Sequence, residues 1–336
     1  MKPSSLIKMG LGALKHKLTG KRIPMNVMFS LTNRCTSRCA YCQKSDRKQD
    51  ELATAEVLQA IEDMYKAGTR RIGFWGGEPL MRKDIGTIID KAASLGIYTT
   101  LDTNGYLLAE RIDELKNLDH ILLSIDGNEE AHDKNREPGS FKKTMKALEL
   151  ALSRGYKVGT ITVLTKNNIK DIDFVVDLSN KYNLMANFQI LHHNDVLGTN
   201  PGWMFPTNEE YKAAFEKLMK LKKGGAKIIT SSRFLQYMIN WGDYKVTRKK
   251  EKLLGIPCLA GSLYCNIDTD GSVYPCSILI GKVDVKNLRD AGFKKAFEAL
   301  GEIPCHSCAA TCFTEYNLLF SFNVKTIYQW VKEMFF

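Results

Sequence analysis

The 336-residue chain has no run of apolar residues that approaches the roughly 18 needed to span a bilayer. It shows no apparent secretory signal, because lysines interrupt the apolar residues near its N-terminus. Those lysines are Lys2, Lys8, Lys15 and Lys17. Internal repeats and low-complexity segments are also lacking, and 44% hydrophobic with 25% charged residues is typical of globular proteins. We therefore expect a folded protein in the cytoplasm.

Acidic residues are scarce at one end of the chain. None precedes Asp46, and the whole chain carries a formal net charge of +11. This excess indicates an anionic partner, which is membrane lipid, nucleic acid or an acidic substrate, and the alternative is that the charge serves only solubility. No recognition motif supports nucleic acid. The six histidines are scattered without an H-E-x-x-H pattern, which excludes that type of zinc protease site.

Residues 1–24 form a basic segment whose apolar residues have helical spacing. The apolar positions are Ile7, Leu11, Leu14 and Leu18. Such a helix lies on an anionic membrane surface or packs its apolar stripe on the body of the protein. We expect packing, with membrane contact as the alternative.

The nine cysteines fall into three groups, which are Cys35/Cys39/Cys42, Cys258/Cys265/Cys276 and Cys305/Cys308/Cys312. An odd number in tight clusters argues against a disulfide framework. In a chain of this length it indicates metal sites in a reducing compartment.

The first group lies in a short loop, residues 31–46, with the spacing C-x3-C-x2-C. Three thiolates this close can hold three irons of a cubic 4Fe–4S cluster. Because four cysteines are the usual complement, the fourth iron would be open for chemistry. A zinc knuckle with a distant fourth ligand is the alternative.

Six short apolar segments alternate with five amphipathic ones. We predict strands at 26–32, 71–75, 98–103, 120–125, 157–164 and 186–191, and helices at 54–68, 83–95, 108–117, 140–154 and 169–182. This alternation predicts right-handed βαβ units and a parallel sheet. Six units are too few for a closed eight-fold barrel, so we expect an open, partial (β/α)6 barrel over residues 25–230.

Polar residues follow several of these strands, at the sheet edge where α/β proteins bind ligands. They are Gly76-Gly77-Glu78-Pro79, Thr103-Asn104-Gly105, Ser124 with Asp126, and His192-His193 with Asp195. The two glycines allow the backbone to approach a ligand closely. The last three residues are candidates for contact with substrate, or else ordinary loop residues.

The cysteine loop, with Tyr41 before its last cysteine, and the later Gly-Gly-Glu-Pro together resemble the radical S-adenosylmethionine (radical SAM) enzymes. The resemblance implies the same partial barrel. It also implies that the open iron is chelated by SAM, that Glu78 holds the SAM amino group and that Arg136 pairs with the SAM carboxylate. The other SAM-binding candidates are Tyr41, Gly76, Gly77, Pro79, Thr103, Asn104, Ser124 and Asp126. In such enzymes the reduced cluster cleaves SAM to a 5′-deoxyadenosyl radical, which takes hydrogen from a substrate.

The later cysteines resemble the SPASM/twitch extension of the same superfamily, expected at residues 257–315. A hairpin at Asp270-Gly271 separates Cys258 from Cys276, and a Cys-x2-Cys pair follows. Only six cysteines remain here, against seven in a full SPASM domain, so we expect one auxiliary 4Fe–4S cluster. Its expected ligands are Cys258, Cys276, Cys305 and Cys308, with Cys265 and Cys312 as substitutes. A zinc site is the alternative.

Two other segments complete the predicted organisation. Residues 231–256 read as a charged, solvated linker. Residues 316–336 read as an apolar, aromatic C-terminal helix that covers the open barrel or forms a dimer face, with membrane contact as a further alternative.

The sequence thus predicts a radical SAM enzyme that acts on an unidentified peptide, protein, or lipid- or sugar-linked molecule. An external one-electron reductant of the flavodoxin or ferredoxin type would be its partner. The alternative from another class is a non-catalytic iron–sulfur or zinc protein that transfers electrons or binds partners.

Overall fold

The computed structural model describes residues 3–192, 202–321, 324, 327 and 328. Six parallel strands run in sequence order, each hydrogen-bonded to the next. They are β1 (Asn26–Ser30), β2 (Arg71–Trp75), β3 (Tyr98–Thr103), β4 (His120–Ser124), β5 (Val158–Leu164) and β6 (Met185–Ile190). The predicted α/β fold with a partial (β/α)6 barrel is confirmed.

The helices that precede and connect these strands are α1 (Pro3–Thr19), α2 (Thr54–Ala67), α3 (Ile85–Ser94), α4 (Leu108–Arg111), α5 (Glu129–Asn135), α6 (Ser140–Ser153) and α7 (Ile172–Tyr182). The sequence interpretation missed α5, which begins after Asn128, whose side chain accepts a hydrogen bond from the amide of Ala131. The helix predicted at 108–117 is instead the short α4, followed by a 3-10 turn at Ile112–Leu115.

Later elements are α8 (Asn208–Lys223), α9 (Ser232–Ile239), β7 (Arg248–Lys249), β8 (Tyr264–Ile267), β9 (Val273–Tyr274), α10 (Leu288–Ala291), α11 (Phe293–Glu298), β10 (Ser307–Cys308) and α12 (Thr311–Phe320). The segment read as a linker contains α9 and buries Trp241 and Tyr244, each 1% exposed. These aromatic rings pack in the same core as β6 and α8.

The hairpin predicted at Asp270-Gly271 is present, and it extends the barrel sheet. Strand β8 pairs in parallel with β1, and β9 pairs antiparallel with β8. The result is one eight-stranded sheet in which the C-terminal region lies directly beside the strand that leads into the cysteine loop.

The two faces of the barrel strands differ in polarity, as period-two alternation requires. Val27, Ile72 and Leu101 point into an apolar core beneath the helices. The intervening positions of the same strands include Arg71 and Asp102. The interior of the barrel is therefore polar.

Helix α1 packs on the body through a face other than the one expected. Its buried side chains include Met9 and Ala13, at 5% and 3% exposure. The predicted packing stripe faces solvent instead: Ile7 is 63% exposed, Leu11 60%, Leu14 42% and Leu18 75%. The packing expectation for this stripe is wrong. Within the described ranges, none of the helices has both the length and the apolarity that crossing a membrane requires.

Helix α12 forms the first part of the apolar C-terminal region. Leu318 and Phe320 are buried, and Tyr316 places its ring 5.7 Å from the guanidinium of Arg71. Because Arg71 lies on the polar face of β2, α12 contacts the barrel interior. The aromatic residues Phe322, Trp330, Phe335 and Phe336 lie outside the described residues.

Candidate active site

The cysteine loop and the Gly-Gly loop are packed backbone to backbone. The amide of Gly77 donates to the carbonyl of Thr32 at 2.7 Å, and the amide of Glu78 donates to that of Arg34 at 2.8 Å. A Cβ atom on Gly77 would stand 2.2 Å from the Arg34 oxygen, and one on Gly76 would stand 2.3 Å from the Thr32 oxygen. Both glycines are thus required by the neighbouring protein loop, a reason that the sequence interpretation did not include.

The three loop thiols lie at the accessible end of the sheet. Cys42 is exposed, and Cys35 and Cys39 are partly exposed. The amides of Ser37 and Lys44 lie 3.5 Å from the sulfurs of Cys35 and Cys42, respectively. Burial raises the pKa of Cys35 to about 12, so this group is a protonated thiol unless a metal displaces the proton.

Glu78 joins the ends of two strands. It is fully buried, and burial raises its pKa to about 6. Its Oε1 accepts from the Leu80 amide at 3.0 Å and from Thr103 Oγ1 at 2.8 Å, and its Oε2 accepts from the Asn104 amide at 2.9 Å. Two carboxylate oxygens can accept about four hydrogen bonds, so Glu78 retains capacity for one ammonium donor. Pro79 begins the buried 3-10 turn that follows.

Asn104 links this network to the cysteine loop. Its Nδ2 donates to Thr36 Oγ1 at 3.0 Å and lies 3.9 Å from the sulfur of Cys35. Glu78, Thr103, Asn104 and the first thiol are therefore adjacent, as expected of side chains at one sheet edge.

Asp126 and Arg136, both predicted to contact SAM, are paired with each other. Arg136 Nε donates to Asp126 Oδ2 at 2.8 Å, and Tyr41 OH donates to the same oxygen at 2.9 Å. Arg136 Nη1 also lies 3.7 Å from the sulfur of Cys39. The buried pair thus borders the second thiol. Ser124, at the end of β4, is partly buried.

A buried ion-pair group that the sequence interpretation missed anchors the cysteine loop to the hairpin region. Asp268 Oδ1 lies 3.1 Å from Lys44 Nζ, and its Oδ2 lies 2.7 Å from Arg47 Nη2. Burial raises the pKa of Asp268, but the hydrogen bond and charge of Arg47 and the charge of Lys44 outweigh it and hold that pKa at about 2. The partners are more than 220 residues apart, so local spacing gave no signal.

Four of the six later cysteines are electrostatic neighbours. Cys258, Cys276 and Cys305 all raise the pKa of Cys308, after the larger effect of burial. Cys265 lies instead in the apolar core beneath the barrel helices. Cys312 interacts with Asp102 and Arg71. The structure therefore groups the four expected ligands and places Cys265 elsewhere, while Cys312 packs against the same apolar cluster as Cys276 and Cys308.

Among the described residues, no three His, Cys, Asp or Glu side chains converge closely enough to hold a single metal ion. A 4Fe–4S cube binds each thiolate to a different iron, so its sulfurs stand farther apart than the ligands of one ion.

The candidates after the sixth strand are only partly within the described residues. His192 is described, and burial lowers its pKa to about 4, which leaves the ring neutral at pH 7. His193 and Asp195 lie outside. A residue that sequence reasoning missed is Asp102, on the interior face of β3. Burial raises its pKa to about 7, and its Oδ1 is buried with no partner among the described residues. Its position one residue before Thr103 was the available signal.

Comparison with known proteins agrees with this arrangement. Residues 29–178, which include the cysteine loop, Glu78 and Arg136, match the model of the Radical SAM superfamily. The chain therefore contains a radical SAM domain at residues 29–178. It is therefore an enzyme of the class that pairs SAM with an iron–sulfur cluster.

Two curated relatives are synthases. The chain is 27% identical over 290 residues to the AdoMet-dependent heme synthase of Oleidesulfovibrio alaskensis, covering 80% of this radical SAM chain and 72% of that protein. It is 31% identical over 185 residues to the Fe-coproporphyrin III synthase of Methanosarcina barkeri, covering 49% and 46%, respectively.

Two solved structures share the fold. Streptococcus suis SuiB with bound S-adenosylmethionine aligns with a TM-score of 0.68 at 16% identity, over 87% of this chain and 69% of SuiB. The enzyme anSMEcpe with bound AdoMet and a Cp18Cys peptide aligns at 0.63 and 19% identity, over 82% and 80%. At these identities the likeness concerns the fold alone.

Proposed function

We propose that this radical SAM enzyme binds its SAM-reactive 4Fe–4S cluster through Cys35, Cys39 and Cys42 and abstracts hydrogen from a substrate inside the barrel. The observation that carries the proposal is the adjacency of these thiols to Glu78, Asn104 and the Arg136 pair at one sheet edge. When bound, the cluster and SAM supply reductive cleavage to a 5′-deoxyadenosyl radical.

The protein's own groups bind and orient these cofactors. Glu78 is already fixed by three hydrogen bonds, so its remaining lone pair is preorganised for the SAM ammonium. Arg136 retains Nη donors beside Cys39 for an anionic group. Asp126 and Tyr41 hold this guanidinium in place, which gives them positioning roles.

The second cysteine group is proposed to hold one auxiliary 4Fe–4S cluster through Cys258, Cys276, Cys305 and Cys308. A groove of about 410 Å³ reaches Cys305 and is lined by cationic residues. They are Lys245, Arg248, Lys249, Lys250 and Lys282. This charge complements an acidic one-electron carrier of the flavodoxin or ferredoxin type, so we assign the reductant to this side.

The barrel interior indicates a substrate with an anionic group. Arg71 is held by Asn26 Oδ1 at 2.7 Å and Thr100 Oγ1 at 2.9 Å, while the side-chain nitrogens of Asn26 and Asn266 are buried without partners among the described residues. These donors suit a carboxylate. Heme and Fe-coproporphyrin III, which the relatives' names contain, are tetrapyrroles with carboxylate side chains. A carboxylate-bearing tetrapyrrole is therefore the first substrate class to test, and an acidic peptide is the second.

The experiment for the reaction is anaerobic reconstitution with iron and sulfide, followed by dithionite and SAM. We expect 5′-deoxyadenosine in the wild type and none in Cys42→Ala. An intact cluster absorbance with no 5′-deoxyadenosine would favour the non-catalytic electron-transfer alternative.

The experiment for the substrate compares Arg71→Met with Arg70→Met. Arg70 is the matched control because its guanidinium lies over the ring of Tyr65 and donates to local backbone carbonyls. We expect Arg71→Met alone to weaken binding of iron coproporphyrin III or of an acidic peptide by at least about tenfold. Equal binding by both variants would reject Arg71 as the anchor.

A further inference from the structure

We propose that α1 docks this enzyme on an anionic lipid surface through its outer face. The outer face is defined as Ile7, Leu11, Leu14 and Leu18. These side chains are between 42% and 75% exposed. At 3.6 residues per turn they fall within an arc of roughly 60°, a continuous stripe along the helix. This inference is independent of the proposed substrate.

The opposite face explains why the stripe is not a packing face. Met9 and Ala13, about half a turn away, are buried against a core that includes Cys276 and Cys308. A Cβ on Gly12 would stand 2.5 Å from the sulfur of Met25, so the helix lies close to the body there. The helix is thus anchored by one face while a second apolar face is presented outward.

The charges beside the stripe select an anionic lipid surface. Lys8 and Lys15 lie along one edge of the stripe, Lys17 lies toward the other, and all three are exposed. No acidic residue occurs before Asp46 to offset them. A second copy of the chain would bring two basic faces together, which like charges disfavour. Basic residues bordering an apolar stripe are the pattern of helices that lie in the interface of anionic bilayers.

A groove beside the helix extends the basic surface. It has a volume of about 460 Å³ and is bordered by His16, Lys17, Arg233 and Phe320. Arg233 thus adds positive charge to the flank of α1 that carries Lys17. Phe320, at the C-terminal end of α12, also lines this groove, so α12 ends beside α1.

The test is sedimentation of the reconstituted full chain with vesicles at low salt. We expect binding to vesicles of phosphatidylcholine with phosphatidylglycerol, little binding to pure phosphatidylcholine, and weaker binding as salt is raised. The double variants Leu11→Ser/Leu18→Ser and Lys8→Glu/Lys15→Glu should each bind at least about tenfold more weakly.

Matched controls separate this face from bulk charge and apolarity. Lys116→Glu/Lys146→Glu makes the same change of net charge at exposed sites on other elements, and Trp203→Ser removes an exposed aromatic elsewhere. Both should bind as the wild type does. Because every altered side chain is exposed, the melting temperatures should agree.

Three outcomes would overturn the proposal. One is equal binding by the outer-face variants and the controls. Another is equal binding to neutral and anionic vesicles. The third is a wild-type dimer that Leu11→Ser/Leu18→Ser converts to a monomer with no change in vesicle binding, which would assign the face to self-association.

Discussion

The two cysteine groups of this enzyme differ in their access to solvent. Cys35 and Cys39 are partly exposed, and Cys42 is exposed, on a loop bordered by hydrogen-bonding groups. In the later group, Cys276, Cys305 and Cys308 are each at most 8% exposed, in or next to apolar cores. Metal sites in proteins show the same contrast, since catalytic sites retain an open position and structural sites are closed.

In each group, the number of expected cysteine ligands matches the surroundings of the thiols. On the proposed assignment, three thiolates on an accessible loop would leave one iron for SAM, and polar residues of neighbouring strands lie beside these thiols. Of the four later thiols, Cys276 and Cys308 lie in an apolar core with residues of α1 and α12, whereas Cys258 at its border is partly exposed. The first group is therefore suited to chemistry and the second to electron transfer or structural support.

The largest expected effect on activity comes from a change in the first cysteine group, Cys35, Cys39 and Cys42. Cys42→Ala removes one of three ligands, and we expect 5′-deoxyadenosine formation to fall by at least about 1,000-fold, because the cluster no longer presents its open iron to SAM. Product is measured by chromatography after dithionite reduction. Bound iron should fall from about eight to about four per chain. Activity near the wild-type value would contradict the assignment.

Cys308→Ala should disrupt the proposed auxiliary cluster and leave the cluster at Cys35, Cys39 and Cys42 in place. Iron should again fall to about four per chain, yet SAM cleavage by dithionite should persist. Cys265→Ala is the matched control, because this buried thiol lies in the barrel core away from the group. Cys265→Ala should keep both clusters. Loss of iron in Cys265→Ala but not in Cys308→Ala would show that the ligand set is wrong.

Asp268→Asn tests the ion pairs that connect the cysteine loop to the hairpin region. It leaves the buried ammonium of Lys44 without its carboxylate, which should reduce the free energy of unfolding by about 3–5 kcal/mol. Urea denaturation under anaerobic conditions measures this change. Asp113→Asn, in the exposed pair with Arg154, is the control and should cost about 0–1 kcal/mol. Equal effects would mean that Asp268 is not an anchor.

Glu78 should have the smallest of these effects. Glu78→Gln removes the charge that faces the SAM ammonium, so we expect SAM to bind at least about tenfold more weakly, while Thr103→Ala, which removes one donor to Glu78, changes binding less. Because burial raises the pKa of Glu78 to about 6, its ionised fraction falls below that pH. Wild-type affinity should therefore decrease as the pH falls through 6. A similar decrease in Glu78→Gln would assign the titration to another group.

Local patterns predicted much of the fold and part of the site. Short apolar segments located all six barrel strands, and the polar residues after strands β1 to β4 do lie at one edge. The pairing of Asp126 with Arg136 was not predictable, because both side chains also suit a ligand. Only the folded structure shows Arg136 Nε at 2.8 Å from Asp126 Oδ2. The parallel pairing of β8 with β1 depends on tertiary packing across more than 230 residues, for which the sequence has no local signal.

The outer face of α1 shows a second limit of sequence patterns. Its spacing predicts an amphipathic helix but not which face is buried. The buried face contains Ser5, Met9 and Ala13. Of these, Ser5 is polar and Ala13 is smaller than the exposed leucines. Hydrophobicity alone therefore selected the wrong side.

The central claim, one open and one closed cluster, is tested most directly by electron paramagnetic resonance of the dithionite-reduced enzyme with and without SAM. We predict two cluster signals in the wild type, of which SAM alters only one, and that the SAM-sensitive signal remains in Cys308→Ala. A SAM-sensitive signal that disappears in Cys308→Ala and persists in Cys42→Ala would contradict the account.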